Sequence, residues 1–552
     1  MARSKKSRFT PIYVAIGIVF GILVGNFYAN QYSGKNLSVI NASGNKLNDL
    51  LYIIDDQYVD TVDMAGLVEN ALPQILRELD PHSVYISPKD VEATMQDLKG
   101  SFSGIGVQFF PYHDTVCVVQ VIPGGPSESA GLQAGDRIVR VDGKEYVGEQ
   151  VANNEETKKR LKGKAGSAVK LGIVRPGVEG EMDFTIVRGD VPVKTIDAAY
   201  MLNDSTGYIR ITSFGDTTYP EFLAALAKLN SYDFQNVVLD LRGNLGGYMI
   251  PSVQIANEFL PKNRLIVYTE GRKSPREEYK SDGRGAYQTM PLVVLVDETS
   301  ASSSEIFSGA IQDNDRGTIV GRRTFGKGLV QIPIEFGDGS MLRLTKARYY
   351  TPSGRCLQKP YTMGSNVEYE LDLLNRLEHG EFYSKDSIRS SGQEYSTRIG
   401  RKVYGGGGII PDLFVPRDTL GMTSYFKDAY LGGYFSKFAF DFVDSHRKQM
   451  SQLQNLESVE QYLKKFNLVE LFVRFAQEEG LKRRNLLIRK SRVLLEDYIK
   501  SAIISDILDV ESTVRFINTS DPSIKQAVQL FHEGRAFPKK EETDSVTVTK
   551  PL

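Results

Sequence analysis

Between residues 191 and 418, short apolar runs alternate with segments of helical spacing. The predicted strands are Gly207–Ile211, Asn236–Leu241 and Pro291–Asp297. The predicted helices are Tyr219–Leu229, Ile250–Leu260 and Ser302–Asp313, where apolar residues recur every three or four positions. Strands that alternate with helices in this way predict an α/β sheet, so we assign residues 191–418 to one α/β domain.

The segments on either side of this domain have different patterns. Residues 31–98 predict a helical N-terminal region, and residues 99–190 predict a small domain of strands. Residues 419–537 predict a helical C-terminal domain that includes a long amphipathic segment, Leu481–Leu508. Residues 538–552 are polar and predict a disordered tail. The chain is therefore predicted to be an α/β multidomain protein with helical regions at both ends.

The first 30 residues combine a basic start with an apolar run. Four basic residues precede Ile12–Tyr28, and no acidic residue occurs before Asp49. Such a segment is a cleaved signal peptide or a membrane anchor, and we favour the anchor because no convincing small-residue cleavage site follows Gly25. The positive charge places the rest of the chain outside the cytoplasm, which predicts an inner-membrane protein with a periplasmic or other extracytoplasmic body. Glycine at every fourth position is typical of helix-dimer faces, although it is also common in membrane helices.

Composition narrows the classes of function. The 552 residues include 67 basic and 68 acidic side chains, so their balance gives no indication of a nucleic-acid partner. Cys117 and Cys356 lie far apart and are predicted to be free thiols. No Cys/His cluster has the spacing of metal ligands, so we expect no metal and no other cofactor.

Ser302 is the first candidate for chemistry because it lies at the turn between a predicted strand and a predicted helix. The first amides of a helix lack partners within the helix and point toward any negative charge that develops there. The alternative is structural, because Ser302 and Glu305 have the spacing of a capping box and most such serines only cap helices.

Lys327 favours a catalytic role for Ser302 over a role as a helix cap. It lies between Gly326 and Gly328, where a neighbouring backbone can approach closely and bury it. Burial disfavours the charged ammonium and can lower its pKa from about 10.4 toward neutrality, so that the lysine can act as a general base. Of the five histidines, only His379 lies in the α/β domain, so a serine and lysine pair is more economical than a Ser-His-Asp triad.

A phosphate-binding loop is excluded at the same place. Gly321 to Lys327 has the glycine and lysine spacing of such a loop, but Gly328 stands where a serine or threonine should hold magnesium. The residues after Lys327 also predict a strand, whereas a phosphate loop requires a helix.

Two segments, TSASSSEIFSGAIQD and TFGKGLVQ, resemble the catalytic core of the carboxyl-terminal processing proteases, also called tail-specific proteases. The resemblance implies a serine-lysine peptidase with a ClpP/crotonase-like core. It places the nucleophile on Ser302, the general base on Lys327 and the residue that orients the lysine on Gln331. The aspartate of the family matches Asp313, for which a structural bond at the end of the helix and a catalytic role both remain open.

The segment DLRGNLGG resembles the loop of that family which supplies one backbone amide to the oxyanion. The resemblance assigns this amide to Gly246 or Gly247, and the second one to Ser303. A tight turn that requires glycine would explain the same residues. YYTPSGRCLQ and GGGGIIPDLFVP also match the family.

The strand-rich region resembles a PDZ domain. The loop Gly104, Ile105, Gly106 and Val107 precedes an alternating strand, and GLQAGDRIVRVDG follows further on. In such loops backbone amides converge on the terminal carboxylate of a peptide, with the helix Glu155–Leu161 as the wall of the groove. The resemblance therefore implies that the partners are proteins or peptides bound through their C-termini. A groove that binds nothing and only packs on the core is the alternative.

Other features receive structural or accessory roles. His82, in the segment LDPHS that is also found in this protease family, is predicted to be structural because nothing near it offers a second ligand or a nucleophile. Residues 360–401 are predicted to be an insertion that covers or neighbours the cleft. The C-terminal domain is predicted to support dimerisation or to shape access to the protease.

Two other functions are alternatives to a peptidase. A membrane-anchored PDZ scaffold with an inactive protease core would have no need of Ser302, Lys327 and Gln331 together. A crotonase-like acyl-transforming enzyme lacks any coenzyme-binding signature in this sequence.

Overall fold

The computed structural model describes residues 35–152, 154–388 and 392–539. The predicted anchor at 1–30 and most of the predicted tail lie outside these residues. Within the described ranges, no helix is both long enough and apolar enough to span a membrane. The chain divides into two compact units, residues 1–76 and residues 77–552. The described part of the first unit is helical, with α1 (Lys35–Gln57) and most of α2 (Met64–Arg77).

The second unit begins with a connection to the PDZ-like region. A short strand, β1 (Val84–Ile86), precedes α3 (Pro88–Lys99). The predicted helical region is thus interrupted by a strand, because β1 pairs antiparallel with a long strand of the core through Val84 and Arg343.

The region predicted to be a PDZ domain is a small sheet with two helices. Its strands are β2 (Ser101–Gly104), β3 (Val107–Tyr112), β4 (Thr115–Val121), β5 (Arg137–Val141), β6 (Lys144–Glu145), β7 (Ala168–Val174), β8 (Glu181–Val187) and β9 (Gly189–Pro192). Its helices are α4 (Pro126–Ala130) and α5 (Asn154–Leu161). The main sheet has the order β3-β4-β5-β7-β8, so β3 is an edge strand. β2 pairs with β9, which brings the entry and exit of the domain together, as expected of an inserted domain.

The described residues of the α/β domain form two large sheets and one two-stranded sheet. Its strands are β10 (Ile196–Met201), β11 (Thr206–Ile211), β12 (Asn236–Asp240), β13 (Leu265–Gly271), β14 (Ser274–Lys280), β15 (Leu292–Val296), β16 (Thr318–Gly321), β17 (Leu329–Glu335), β18 (Met341–Tyr350), β19 (Glu394–Ser396), β20 (Lys402–Tyr404) and β21 (Leu413–Phe414). Its helices are α6 (Thr218–Asn230), α7 (Met249–Phe259), α8 (Ser303–Asp313) and α9 (Val367–Glu378). The predicted strands and helices of this domain agree with these bounds to within about a residue at each end.

The central sheet has the order β10-β11-β12-β15-β16-β21 and is parallel except for the β10–β11 pair. Alternate residues of its strands point to opposite faces, and both faces are buried. On one face, Leu239 and Val294 pack in a core with α6, α7 and α8. The second sheet joins β1, β18, β13 and β14, with β17 also paired to β18. The two-stranded sheet pairs β19 with β20.

The remaining chain is helical, as predicted. Its helices are α10 (Ser424–Leu431), α11 (Tyr434–Ser445), α12 (Arg447–Met450), α13 (Leu456–Leu463), α14 (Leu468–Glu478), α15 (Asn485–Lys490), α16 (Arg492–Ile507), α17 (Val510–Asn518) and α18 (Pro522–His532). The segment predicted to be one long amphipathic stretch is divided, because helix begins only at Asn485 and breaks at the buried Ser491. The Ser491 hydroxyl lies 2.7 Å from the Thr423 hydroxyl.

The last two helices cover the second face of the central sheet. Val514 and Leu530 pack there against Val238 and Val293. Arg242, which follows β12, donates to Asp240 and also to Asp521 at the start of α18, the latter at 2.6 Å. The C-terminal chain therefore completes the core and holds the loop after β12.

Candidate active site

Ser302 lies between β15 and α8 in a conformation that is costly for a residue with a side chain. Its φ is 55° and its ψ is −114°, which lies outside the regions that L-residues populate easily. Its backbone N–H donates to Glu305 Oε2 at 2.9 Å. The side chain is thus presented on a turn that the first residues of the helix hold in place.

A cavity of about 630 Å³ lies beside this turn. Of the predicted site residues, it is lined by Gly246, Gly247, Ser302, Ser303, Lys327 and Gln331. The fold therefore brings together three segments that are far apart in the chain.

The two glycines differ in what their amides do. The Gly246 N–H donates to Asn244 Oδ1 at 2.8 Å, whereas the N–H groups of Gly247 and Ser303 have no acceptor within the described residues. Gly246 has a φ of 101°, and a Cβ there would lie 2.6 Å from the Cβ of Ser302. A structural role therefore accounts for Gly246, and within the described residues the amides of Gly247 and Ser303 are left as unpaired donors.

Lys327 is partly buried in the loop before β17. Burial and, to a smaller extent, the positive charge of Arg343 lower the pKa of its ammonium from 10.5 to about 8. The carboxylates of Glu305 and Asp80 act in the opposite direction with smaller effect. The strand after Lys327 agrees with the exclusion of a phosphate-binding loop.

Glu305 joins the serine turn to the lysine loop. Its fully buried carboxylate accepts the N–H groups of Ser302 at 2.9 Å, Gly326 at 2.7 Å and Lys327 at 2.9 Å. It also accepts the Thr324 hydroxyl at 2.5 Å. Burial raises the pKa of this carboxyl, while the four hydrogen bonds oppose that rise. The sequence indicated Glu305 only as a helix cap, because its bonds to the lysine loop depend on tertiary structure.

Tyr349 makes the complementary connection and was not identified from the sequence as a site residue. Its buried hydroxyl donates to the carbonyl oxygens of Lys327 and, at 3.2 Å, of Ser302. The available signal was the match of YYTPSGRCLQ to the family, which did not indicate this contact. Glu305 and Tyr349 together hold the serine turn and the lysine loop in place. Glu305 accepts from backbone amides of both segments, and Tyr349 donates to a backbone carbonyl of each.

Gln331 and Arg343 line the cavity from neighbouring strands. The Gln331 Nε2 and the Arg343 Nε are buried and have no hydrogen-bond partner within the described residues. No hydrogen bond joins Gln331 to Lys327 in that part of the chain. Both side chains therefore carry a buried donor next to the cavity that is unpaired within the described residues.

Asp313 lies at the far end of α8, about 16 Å along the helix from Ser302. Its buried carboxylate accepts from Arg355 Nη2 at 2.6 Å, from Ser353 Oγ at 2.7 Å and from the Thr351 hydroxyl. It does not line the cavity. The geometry thus favours the structural bond at the end of the helix over a catalytic role.

His82 and the insertion lie behind the lysine loop. The ring of His82 contacts the Tyr369 hydroxyl at 2.7 Å, and burial together with the charge of Lys327 lowers its pKa to about 3. In α9, Arg376 donates to the carbonyl oxygens of Arg323 at 2.6 Å and Thr324 at 3.1 Å. The insertion therefore neighbours the site by supporting the backbone of this loop, and none of its described residues lines the cavity.

A second cavity, of about 430 Å³, lies between β3 and α5. Ile105, Gly106 and Val107 of the predicted loop line it, whereas Gly104 pairs with Gly189 in β2 and β9. We refer to this cavity as the PDZ groove. Within the described residues, no cluster of three or more His, Cys, Asp or Glu side chains could hold a metal ion.

Comparison with known proteins identifies the domains. The model of peptidase family S41 matches residues 205–368, a PDZ domain model matches residues 103–186, and a family of unknown function, DUF8443, matches residues 425–509.

Two curated relatives have names that describe an activity. The carboxy-terminal-processing protease of Bartonella bacilliformis is 34% identical over 379 residues, which is 68% of this chain and 84% of that protein. The carboxy-terminal processing protease CtpA of Bacillus subtilis is 34% identical over 326 residues, 59% of this chain and 69% of that protein. Among solved structures, the photosystem II D1 C-terminal processing protease matches with 26% identity and a TM-score of 0.35, over 67% of this chain and 92% of that one.

These matches define the class of the protein as a serine-type peptidase that carries a PDZ domain. Because the chain covers most of a relative with which it shares a third of its residues, it belongs to the family of carboxy-terminal processing proteases. The predicted fold class, with an α/β protease core, a PDZ domain and a helical C-terminal region, is confirmed.

Proposed function

We propose that this chain is a membrane-anchored, extracytoplasmic serine endopeptidase that captures protein C-termini in its PDZ groove and cleaves with Ser302 and Lys327. One observation carries the proposal. Lys327 lines the same cavity as Ser302, and burial lowers its pKa to about 8. At that value a substantial fraction of the lysine is neutral near pH 7.5, so it can accept a proton.

The reaction begins when neutral Lys327 accepts the proton of the Ser302 hydroxyl. The Ser302 oxygen then attacks the carbonyl carbon of the scissile peptide bond, and the resulting oxyanion receives hydrogen bonds from the amides of Gly247 and Ser303. Preorganised donors of this kind typically contribute about 3 kcal/mol each to stabilising the transition state.

Collapse of this intermediate breaks the C–N bond. The Lys327 ammonium returns its proton to the leaving amine, which leaves an acyl-enzyme on Ser302. A water molecule that gives a proton to neutral Lys327 then attacks the ester. The C–O bond to Ser302 breaks, the Lys327 ammonium returns the proton to the Ser302 oxygen, and the second product leaves. Gln331 lies beside the lysine in the cavity, where its amide can orient Lys327 or bind the substrate backbone.

Capture of C-termini is supported by the position of β3. As an edge strand, it can add an extended peptide by backbone hydrogen bonds. The loop Ile105 to Val107 lies at one end of the groove, where its amides can receive the terminal carboxylate.

The location and the assembly belong to the same proposal. The basic start and the apolar run that follows support a single N-terminal anchor with the peptidase outside the cytoplasm. The glycine spacing in that run supports a homodimer. Protease digestion of spheroplasts should degrade the peptidase part, and light scattering of the detergent-solubilised chain should give the mass of a dimer. Protection in spheroplasts or a monomer mass would contradict these two parts.

The test of activity uses the full chain in detergent and an unfolded reporter protein with an apolar C-terminus. We expect cleavage by the wild type and none by Ser302→Ala. Ser308→Ala is the matched control, because Ser308 lies in the helix that follows Ser302 and its hydroxyl donates to the Ser304 carbonyl one turn earlier. A reporter with an amidated C-terminus should be cleaved more slowly. If the wild type binds the reporter without cleaving it, the protease mechanism is contradicted and a PDZ scaffold is favoured.

A further inference from the structure

The PDZ groove has an apolar floor and a basic helical wall. The floor is formed by apolar side chains of the loop, of β3 and of the end of α5: Ile105, Val107, Phe109 and Leu161. On the wall, Lys158 of α5 and Lys162, just after its end, line the groove. No acidic residue is among the described residues that line it. The electrostatics of the groove therefore favour a negatively charged occupant.

Lys162 lies at the end of the groove that holds the loop. The Cγ of its side chain is 3.7 Å from the position that a Cβ on Gly104 would occupy, and its Nζ lies 4.8 Å from the centre of the Phe102 ring. The lysine stem thus packs beside the loop that is proposed to receive the terminal carboxylate. Leu161, one residue earlier, faces the same end and can contact the terminal side chain.

Lys158 lies one helical turn before Lys162. Four residues of an α-helix advance about 6 Å along the axis, and two residues of an extended strand advance about 6.6 Å. Alternate side chains of a strand point to the same side. When a peptide adds to β3, the terminal residue and the residue two positions before it therefore face α5. The second of these lies opposite Lys158.

We propose that the PDZ groove selects tails that end in an apolar residue and carry aspartate or glutamate at the third position from the C-terminus, recognised by Lys158. The inference rests on the proposed capture of C-termini and adds the chemical class of the tail. The terminal carboxylate is received by the loop beside Lys162, and the acidic side chain forms an ion pair with Lys158.

The existing partner of Lys158 does not block this role. Lys158 Nζ contacts Glu155 Oε1 at 2.8 Å, but the side chains are 51% and 80% exposed, so the pair is exposed to water and easily exchanged. A tail carboxylate that is held in the groove by its backbone bonds competes with Glu155 at a high local concentration.

A third cavity, beside the PDZ groove, extends the basic surface. Lys159, Lys162 and Lys164 line it, together with Glu92 and Asp190. Charged side chains of both signs dominate this lining, and its apolar side chains are limited to Phe102 and Ala165, so it offers a peptide less apolar surface than the PDZ groove. A purely electrostatic attraction of anions to this surface is therefore the alternative that the test must separate from recognition in the groove.

The test measures fluorescence anisotropy of labelled ten-residue peptides with the full chain in detergent, with Ser302→Ala as the background so that no peptide is cleaved. The peptides share a terminal valine and differ only at the third position from the end, with glutamate, glutamine or lysine. We expect the glutamate peptide to bind about three- to tenfold more tightly than the glutamine peptide, and the lysine peptide to bind most weakly. The Lys158→Glu variant should reverse this order.

Two controls assign the effect to the groove. Lys144→Glu makes the same change of charge on the exposed strand β6 of the same domain and should leave the order unchanged. A peptide with its glutamate moved four residues toward the N-terminus should bind like the glutamine peptide. The inference would be overturned in favour of general attraction by either of two results. One is that the peptide with the moved glutamate binds as tightly as the peptide with glutamate at the third position. The other is that Lys144→Glu changes the order of the peptides as much as Lys158→Glu does.

An amidated set of peptides separates this inference from the proposed function. If free tails bind more tightly than amidated tails but the third residue has no effect, the selection by Lys158 is wrong while C-terminal capture stands. If amidated and free tails bind equally, C-terminal capture itself is contradicted, and the inference is contradicted with it.

Discussion

The cavity beside Ser302 and the PDZ groove are each lined by a lysine, but the two lysines have opposite surroundings. Lys327 is partly buried, and its pKa is lowered to about 8 by burial and by Arg343. Lys158 is half exposed and contacts a single, exposed carboxylate. The same side chain is therefore suited to accept a proton in one region and to pair with an anion in the other. Solvent exposure, not residue type, decides between these uses.

The two lysines also differ in how firmly the surrounding structure holds them. The lysine loop is held by the buried Glu305 and Tyr349, which bond the amides and the carbonyls of both reacting segments. Lys158 extends from one face of a short surface helix. Proton transfer requires atoms held within a few tenths of an ångström, whereas an ion pair in water tolerates movement.

The largest effect should come from Lys327→Arg. A guanidinium stays protonated at working pH and cannot accept the proton of Ser302, so kcat/KM should fall by at least about 1,000-fold. Cleavage of the reporter measures this, and circular dichroism confirms that the variant is folded. Lys346→Arg, at an exposed position of β18, is the matched control. Near-normal activity of Lys327→Arg would refute the Ser-Lys assignment.

Glu305→Gln should weaken both structure and activity. An amide has one acceptor oxygen and turns its NH₂ toward the donors that the carboxylate now satisfies, so we expect a loss of about 2–4 kcal/mol in the free energy of unfolding. The activity should fall about 10- to 100-fold, because the serine turn and the lysine loop lose their common anchor. Urea unfolding and kcat measure the two effects, with the exposed Glu335→Gln as control. Unchanged values would show that Glu305 does not hold the site.

Lys327→Met should be inactive but more stable than the wild type. The folded state lowers the pKa of Lys327 from 10.5 to about 8, so below pH 8 it holds a proton at a cost in free energy. The stability of the wild type should therefore rise between about pH 8 and 10.5, where only the unfolded state keeps the proton.

At pH 7 the methionine variant should gain about 1–3 kcal/mol in the free energy of unfolding, and the gain should disappear toward pH 10.5. Lys158→Met, at an exposed site, should change stability by less than about 0.5 kcal/mol. Equal effects of the two substitutions would remove the contrast between the two lysines.

The pH dependence of activity should respond to Arg343. In the wild type, kcat/KM should rise with pH through an apparent pKa of about 8 as Lys327 loses its proton. Arg343→Met removes a positive neighbour, which raises the pKa of Lys327 and moves this rise to higher pH by up to about one unit. Lys346→Met, on the same strand but exposed, should leave the profile in place. A shift to lower pH would contradict the proposed influence of Arg343.

The smallest expected effect is a difference in how the PDZ groove and the cavity beside Ser302 respond to ionic strength. Raising the ionic strength from 0.05 to 0.5 M shortens the screening length severalfold, so KM for a tail with an acidic third residue should rise a few-fold. The kcat should change little, because the partly buried cavity is screened much less than the exposed groove. A fall in kcat as large as the rise in KM, measured by initial rates over this range, would contradict the distinction.

Local patterning was sufficient for much of the fold. The strands and helices around Ser302 were predicted to within about a residue, because they form a regular alternation whose apolar faces are buried on both sides of a sheet. The long amphipathic segment at Leu481–Leu508 was predicted less well. The break at Ser491 depends on a hydrogen bond to Thr423, which is distant in sequence.

The sequence by itself determined which residues are candidates for the reaction, because Ser302, Lys327 and the glycines occur in motifs whose local geometry depends on neighbouring residues. Only the tertiary structure decided which groups support them. Glu305 and Tyr349 join segments that meet through sheet and helix packing, and the need for glycine at position 246 comes from its close approach to Ser302 in another segment. The pKa of Lys327 was likewise decided by the fold, because desolvation depends on everything that surrounds the ammonium and a sequence motif specifies only its nearest neighbours.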